Sequence, residues 1–191
     1  MENWDLYDEN RQLLNETMTR GNEVPANRYH LVIHVCIINK QGQLLIQKRR
    51  YDKQGWPGKW DFSAGGSAVQ GDTNRDAAER ETYEELGIQL DLTNRRPHFT
   101  INFEDGYDDF FIVHKEINIE KLSFPTEEVQ EVKWVTKDEL LDMIKEGLFI
   151  PYRNSLIEFI FEMNIGLGTI REYRNSLAVS FQTVDKLNLN L

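Results

Sequence analysis

The chain has 191 residues, 40% of them hydrophobic and 28% charged, with a net charge of −10. This is the composition of a soluble globular domain long enough to bury an ample core, and its acidic balance argues against a surface built for nucleic-acid backbones. The single cysteine, Cys36, excludes an intrachain disulfide. The acidic start MENWDLYDEN is no signal peptide and no apolar run nears the ~20 residues of a membrane span, so a cytoplasmic location is expected.

Trp4 to Thr19 reads as a hairpin, with Trp4–Leu6 and Leu13–Thr17 flanking the turn-rich Asp8-Glu9-Asn10. Tyr29 to Ile38 is rich in β-branched residues and reads as a strand; Cys36 within it is expected to behave as a small buried hydrophobe. After the turn Asn39–Gly42, Gln43 to Arg50 forms the next strand. Tyr51 to Pro57 is a loop, and KWDFSAGG continues extended. The Gly65-Gly66 pair permits close backbone approach or a positive φ. A helix is expected from about Thr73 to Leu86, with Asp72 as N-cap, Ala77, Ala78, Thr82 and Leu86 on its buried side, and Gly87 ending it. His98–Phe103 and Tyr107–Ile117 read as strands around Glu104-Asp105-Gly106, and Glu120–Glu128 as a loop. Val129–Val135 is a strand, Thr136 caps a helix over Lys137–Lys145, and Pro151–Met163 is a last helix. The tail 166–191 is weakly patterned; it and the N-terminal hairpin (1–28) offer surfaces for docking or a homodimer. Strands and helices in this order give an α/β/α sandwich with a mixed sheet, as one domain over residues 1–165.

The helix carries Glu81, Glu84 and Glu85 at i, i+3 and i+4, on one face. Carboxylates at this spacing repel, and a hard divalent cation, Mg²⁺ or Mn²⁺, would remove the repulsion and take their oxygens as ligands. The alternative is a solvated acidic face. Arg80, four residues before Glu84, either orients these carboxylates or meets a phosphate.

The segment Gly66–Ile88, GSAVQGDTNRDAAERETYEELGI, resembles the Nudix box G-x5-E-x7-R-E-U-x-E-E-x-G-U, with U a bulky aliphatic residue. Gly66, Arg80, Glu81, Glu84, Glu85, Gly87 and Ile88 fall in register; Asp72 stands for the first Glu and Thr82 for the first U. The likeness extends over about Tyr29–Trp134. It implies the Nudix fold and metal-dependent cleavage of a small-molecule diphosphate. It also implies that Glu81, Glu84, Glu85 and the carbonyl of Gly65 are metal ligands and that Arg80 orients them. The general base is open among Glu81, Glu127, Glu128, Glu131, Asp108 and Asp109, with Glu128 placed in the catalytic set. Trp56, Trp60, Phe62 and Phe110 are candidate pocket walls, the two Phe being better core residues, and Arg49 and Arg50 are candidate phosphate contacts.

The flanks, Tyr29-His30-Leu31, Arg49-Arg50 and Trp56-Pro57-Gly58-x-Trp60, resemble isopentenyl diphosphate isomerase, which uses the same fold for proton-transfer isomerisation. That chemistry needs a cysteine in the loop before the helix and a metal-binding histidine two residues on. This loop reads Ser63-Ala64-Gly65-Gly66-Ser67, and of the isomerase's histidines only His30 is matched. The resemblance therefore points to a hydrolase of the isomerase-like branch; isomerisation and a non-catalytic binding domain are the alternatives. The substrate ranges over NDP-sugars, dinucleoside polyphosphates, ADP-ribose, coenzyme A-type and isoprenoid diphosphates.

Overall fold

A computed structural model of the chain describes residues 2–124 and 126–163. Strands β1 (Asn3–Tyr7) and β2 (Leu13–Thr19) form the expected hairpin, antiparallel with Asn3 opposite Thr19. The main sheet is built on β3 (His30–Ile38). One edge of β3 pairs in parallel along its whole length with β8 (Gly106–His114), which pairs antiparallel with β7 (Phe99–Phe103). The other edge of β3 is shared: β4 (Leu44–Arg49) meets it at Ile38–Leu44 and β6 (Ala64–Ser67) at Val32–Val35. β5 (Trp60–Asp61) and β9 (Val129–Val135) both pair with β4. The sheet therefore splits beside β3. Ser63, wholly buried, bridges the split: its Oγ accepts from the Ile37 N–H (2.8 Å) and donates to the Leu45 carbonyl (2.6 Å). Both backbone groups would otherwise be unpaired in the interior.

Alternation along β3 sends Leu31, Ile33, Val35 and Ile37 to one face, against Ala77, Ala78 and Leu86 of α1 (Asn74–Leu86). Cys36 and Ile38 face the other side, with α2 (Lys137–Lys145) and α3 (Asn154–Glu162). The result is a mixed sheet between helical layers, the expected sandwich. The tail 166–191 lies outside the described residues. No helix among them is long and apolar enough to cross a membrane.

Several element ends shift by up to three residues from expectation, and three of the differences bear on the site or the packing. The N-cap of α1 is Thr73, not Asp72: Thr73 and Asp76 form a reciprocal capping box, which outcompetes the single charge of Asp72. β8 ends at His114, three residues early. α3 begins at Asn154: on entry Trp60 donates its N–H to the Leu148 carbonyl and accepts from the Ile150 N–H (both 2.9 Å), the Tyr152 N–H turns back to the Ile150 carbonyl (2.7 Å), and Arg153 is the extended N-cap.

A clamp fixes the hairpin to the domain. Arg11, at a positive φ of 60° in the β1–β2 turn, donates two hydrogen bonds to the wholly buried Asp109 of β8 (3.0 and 2.7 Å). Asn74 of α1 and Thr100 of β7 donate to the same carboxylate. Asp109, a candidate base from the sequence, is thus a structural anchor with every lone pair direction engaged.

Cys36 is fully buried, and desolvation pushes its thiol far above the ordinary range. A thiol reagent such as DTNB should leave the native chain unlabelled and titrate one thiol on unfolding; labelling of the native state at a free-thiol rate would contradict this packing.

Candidate active site

A cavity of about 280 Å³ opens where the sheet splits, lined by β3, β6, α1 and the loops around Trp56 and Tyr152. Gly65 and Gly66 make its floor. Neither has a positive φ; glycine is required by close approach. A Cβ on Gly65 would stand 3.1 Å from the Ile33 carbonyl and 3.2 Å from His34 Nδ1, and one on Gly66 would strike the Glu81 carboxylate.

Arg80 is the hub of the acidic wall. Its guanidinium donates to Asp72 (2.9 and 3.1 Å), Glu81 (2.8 Å), Glu84 (3.1 Å) and the Ser67 carbonyl (3.2 Å). Asp72, shorter than the Glu it replaces in the box pattern, still reaches this hub and also accepts from the Val69 N–H. Glu85 is fully buried, accepts one bond from the Gly65 N–H (3.1 Å) and has no cationic partner among the described residues. Burial, then the nearby Glu81, pushes its pKa well above the usual range; burial likewise raises Glu81 to about 7 against the opposing Arg80. Buried carboxylates left in this condition are short of positive charge.

The cavity as a whole repeats that imbalance. Glu2, Asp61, Glu81, Glu84, Glu85 and Glu128 face Arg20, Arg49, Lys53 and Arg80. With all six carboxylates ionised the excess is two negative charges, which one divalent cation would balance, and the donors are hard carboxylate oxygens of the kind Mg²⁺ and Mn²⁺ take. Among the described residues no three such groups already converge into a cage; Arg80 holds Glu81 and Glu84 instead. The residues fit a divalent cation in charge and chemistry.

The remaining candidates separate by position. Glu128 lines the cavity, paired with Lys53 at 2.6 Å. Arg49 lines it 3.5 Å from Asp61, and Trp56 stands half-exposed at its lip with a strained φ of 52°. Arg50 does not line it: its side chain turns outward to Asp52 (3.4 Å) and Glu127 (3.9 Å). Trp60 is also outside it. Pairing with Lys48 on β4 and a bridge to Phe149 bury the indole in the core, with Lys133 Nζ 4.5 Å from its ring centre. Phe62 and Phe110 are core residues, and Glu127 and Glu131 are exposed. Asp108 sits 3.4 Å from His34 Nε2 and outside the cavity lining.

Several lining groups give no site signal in the sequence, Lys53 and Asp61 among them. His34 stacks on Phe110 (4.6 Å between ring centres), and its buried Nδ1 has no hydrogen-bond partner among the described residues. Tyr152 packs against Phe62 and donates to Asp61 (3.2 Å); burial, then Asp61, raises its pKa well above the usual phenol range. The hairpin contributes Glu2 and Arg20, paired at 2.9 Å. Alternation of polar residues in a strand, as at His34, was the one sequence signal for any of them. His30, matched to the isomerase, stacks instead on Trp4 (4.3 Å).

The NUDIX domain model matches residues 28–154. An uncharacterized Nudix hydrolase of Listeria innocua is 51% identical over 152 residues, spanning 80% of this chain and 90% of that protein. An isopentenyl-diphosphate Δ-isomerase of Salmonella heidelberg is 39% identical over 77 residues, 40% of this chain and 42% of the isomerase. Among solved structures, DR0079 from Deinococcus radiodurans superposes with a TM-score of 0.65 at 24% identity, over 84% of this chain and 98% of that one. The box residues lie on the loop and helix that line the cavity, within the matched segment, and the chain belongs to the Nudix hydrolase family, among its pyrophosphohydrolases.

Proposed function

We propose that the chain hydrolyses, with Mg²⁺ or Mn²⁺, a diphosphate bond in a small nucleoside-diphosphate-X or related organic diphosphate. The observation that carries this reading is Glu85, a fully buried carboxylate with no cationic partner among the described residues, beside Glu81 and Glu84. Glu81, Glu84, Glu85 and the Gly65 carbonyl would hold the cation. When bound, it supplies charge neutralisation at the phosphoryl oxygens and a more acidic water. Arg80 keeps the carboxylates in register. Arg49, with Lys53 beside it, meets the substrate phosphates, and Trp56 closes over the substrate's organic part. Water attacks phosphorus, the bridging P–O bond breaks, and Glu128 accepts the proton. Arg20 and Glu2 of the hairpin line the same cavity.

Two observations disfavour isomerisation. The loop Ser63–Ser67 holds no thiol, and Cys36 is sealed in the core. A purely binding role is disfavoured by the intact carboxylate set. A cytoplasmic enzyme acting on a small molecule, without nucleic-acid or membrane partner, is the setting that fits.

The test is a hydrolysis screen over nucleotide-linked and isoprenoid diphosphates, with and without Mg²⁺ and with EDTA, products read by mass spectrometry. Metal-dependent anhydride cleavage of one class supports the proposal. Silence across the panel, or double-bond migration in the isoprenoid arm, would refute it. A second check uses Gly66→Ala. The added methyl displaces only the flexible end of Glu81, so Tm should hold while kcat falls about 10- to 100-fold, as for displaced metal-site partners. An unchanged kcat would remove Glu81 from the site.

A further inference from the structure

A second cavity, of about 290 Å³, lies at the far edge of the sheet and shares no lining residue with the first. It is a notch between the chain leaving α1 and the end of β8. Leu92 and Phe111, both buried, form its apolar base, and Arg95, Arg96, His114 and Lys115 are exposed around it. The chain around Leu92 is held in place: the Leu92 N–H donates to Glu79 of α1 (2.5 Å).

Its charge is opposite to that of the molecule. In a chain of net charge −10, three permanent cations surround one notch. Asp91 is the one acidic residue in the lining, and the Thr93 N–H already occupies one of its oxygens (2.9 Å). Arg95, Arg96 and Lys115 form no ion pair among the described residues. A cationic pocket in an acidic surface draws anions that the rest of the surface repels.

The backbone adds donors. The β7–β8 ladder ends at Phe99–Phe110, and the next rung is irregular: the His98 N–H donates to the Phe110 carbonyl (2.7 Å) and His98 Nδ1 accepts from the Ile112 N–H (3.0 Å). Since Nδ1 is an acceptor, neutral His98 carries its proton on Nε2 as a donor. Amides alternate sides along a strand, so the His114 N–H, two residues beyond Ile112, faces the same open edge. Burial lowers the His98 pKa, and the neighbouring His114 and Arg95 lower it further. Cationic groups crowded together in this way gain from an anion among them.

We infer that this notch binds a phosphate-type oxyanion, free or as the phosphate end of a small metabolite, at a site separate from the catalytic cavity. The inference stands independently of the proposed hydrolysis. The test titrates inorganic phosphate into the full ¹⁵N-labelled chain without divalent cation, following amide shifts. Saturable shifts at Arg95, Arg96, His114 and Lys115 are expected. Arg95→Glu with Arg96→Glu should weaken them about tenfold or more, since charge-assisted bonds are lost and repulsion is added, while Arg49→Ala leaves them unchanged. Both arginines are exposed, and an unaltered Tm confirms that the double variant is folded. Adenosine monophosphate in a second titration assigns the source: tighter binding with added shifts at Leu90 and Leu92 means a phosphorylated metabolite, and equal affinity means the free anion. Linear, unsaturable shifts, shifts confined to Arg49 and Gly65–Ser67, or full affinity in the double variant would each overturn the site.

Discussion

Glu84→Gln should fold normally and lose about 10³-fold or more in kcat, because several kcal/mol of charge stabilisation go with a metal site and each ~1.4 kcal/mol is tenfold. The change is isosteric. The Glu84 side chain is partly exposed, and its one side-chain hydrogen-bond partner among the described residues is Arg80, which retains Asp72 and Glu81. The backbone carbonyl that receives Thr126 is untouched. Tm should therefore stay within about 2 °C, as for a surface change. The fold and the chemistry are thus separable at this position. Steady-state kinetics at saturating Mg²⁺ decide the matter: near-native kcat would mean that the acidic face of α1 is not where the cation sits.

Arg11→Ala should cost about 2–3 kcal/mol and lower Tm by roughly 5–10 °C, a discount on the ~3–5 kcal/mol for breaking a buried pair because Arg11 is partly exposed. The cost lies in the partner. Asp109 is wholly buried, and without Arg11 its charge rests on Asn74 and Thr100 alone. Asp109→Asn in the Arg11→Ala background should recover part of the loss by removing that stranded charge. Denaturant melts of the single and double variants measure both. A cost below about 0.5 kcal/mol, within the range of ordinary surface substitutions, would show that the clamp is not holding the hairpin. Because Glu2 and Arg20 border the cavity, the same variant should also raise KM.

Much of this architecture is legible in the sequence where periodicity and chemistry agree. The i, i+3, i+4 carboxylates, the Thr136 cap and the β-branched run of β3 each carry one dominant local signal. Errors came where two signals compete. Asp72 and Thr73 are adjacent cap residues, and only Asp76 three places on decides between them. Trp60 lies near the box in sequence, but pairing with β4 turns it into the core. Tyr152 reads from the sequence as part of a helix starting at Pro151, whereas the bond from the Ile150 N–H to the carbonyl of Trp60, 90 positions before it, and the turn that follows delay the helix to Asn154. His34 gives no cue from its neighbours that the sheet splits there. The depth of Glu85 depends in the same way on Gly65 passing close by. Such features belong to contacts distant along the chain, and local patterns do not encode them.

The parallel pairing of β3 with β8 brings together His30 and Gly106, and everything in between, including α1 and the glycine floor, is an excursion closed by that pairing. Loop closure of this length is entropically expensive and is repaid only once the strands zip, so the topology predicts refolding on a millisecond-to-second scale rather than a microsecond one. Catalytic competence cannot precede that closure. During synthesis the acidic helix emerges well before β8 exists to hold its sheet, so a nascent chain carries the whole box motif without an active site until the second half has been made.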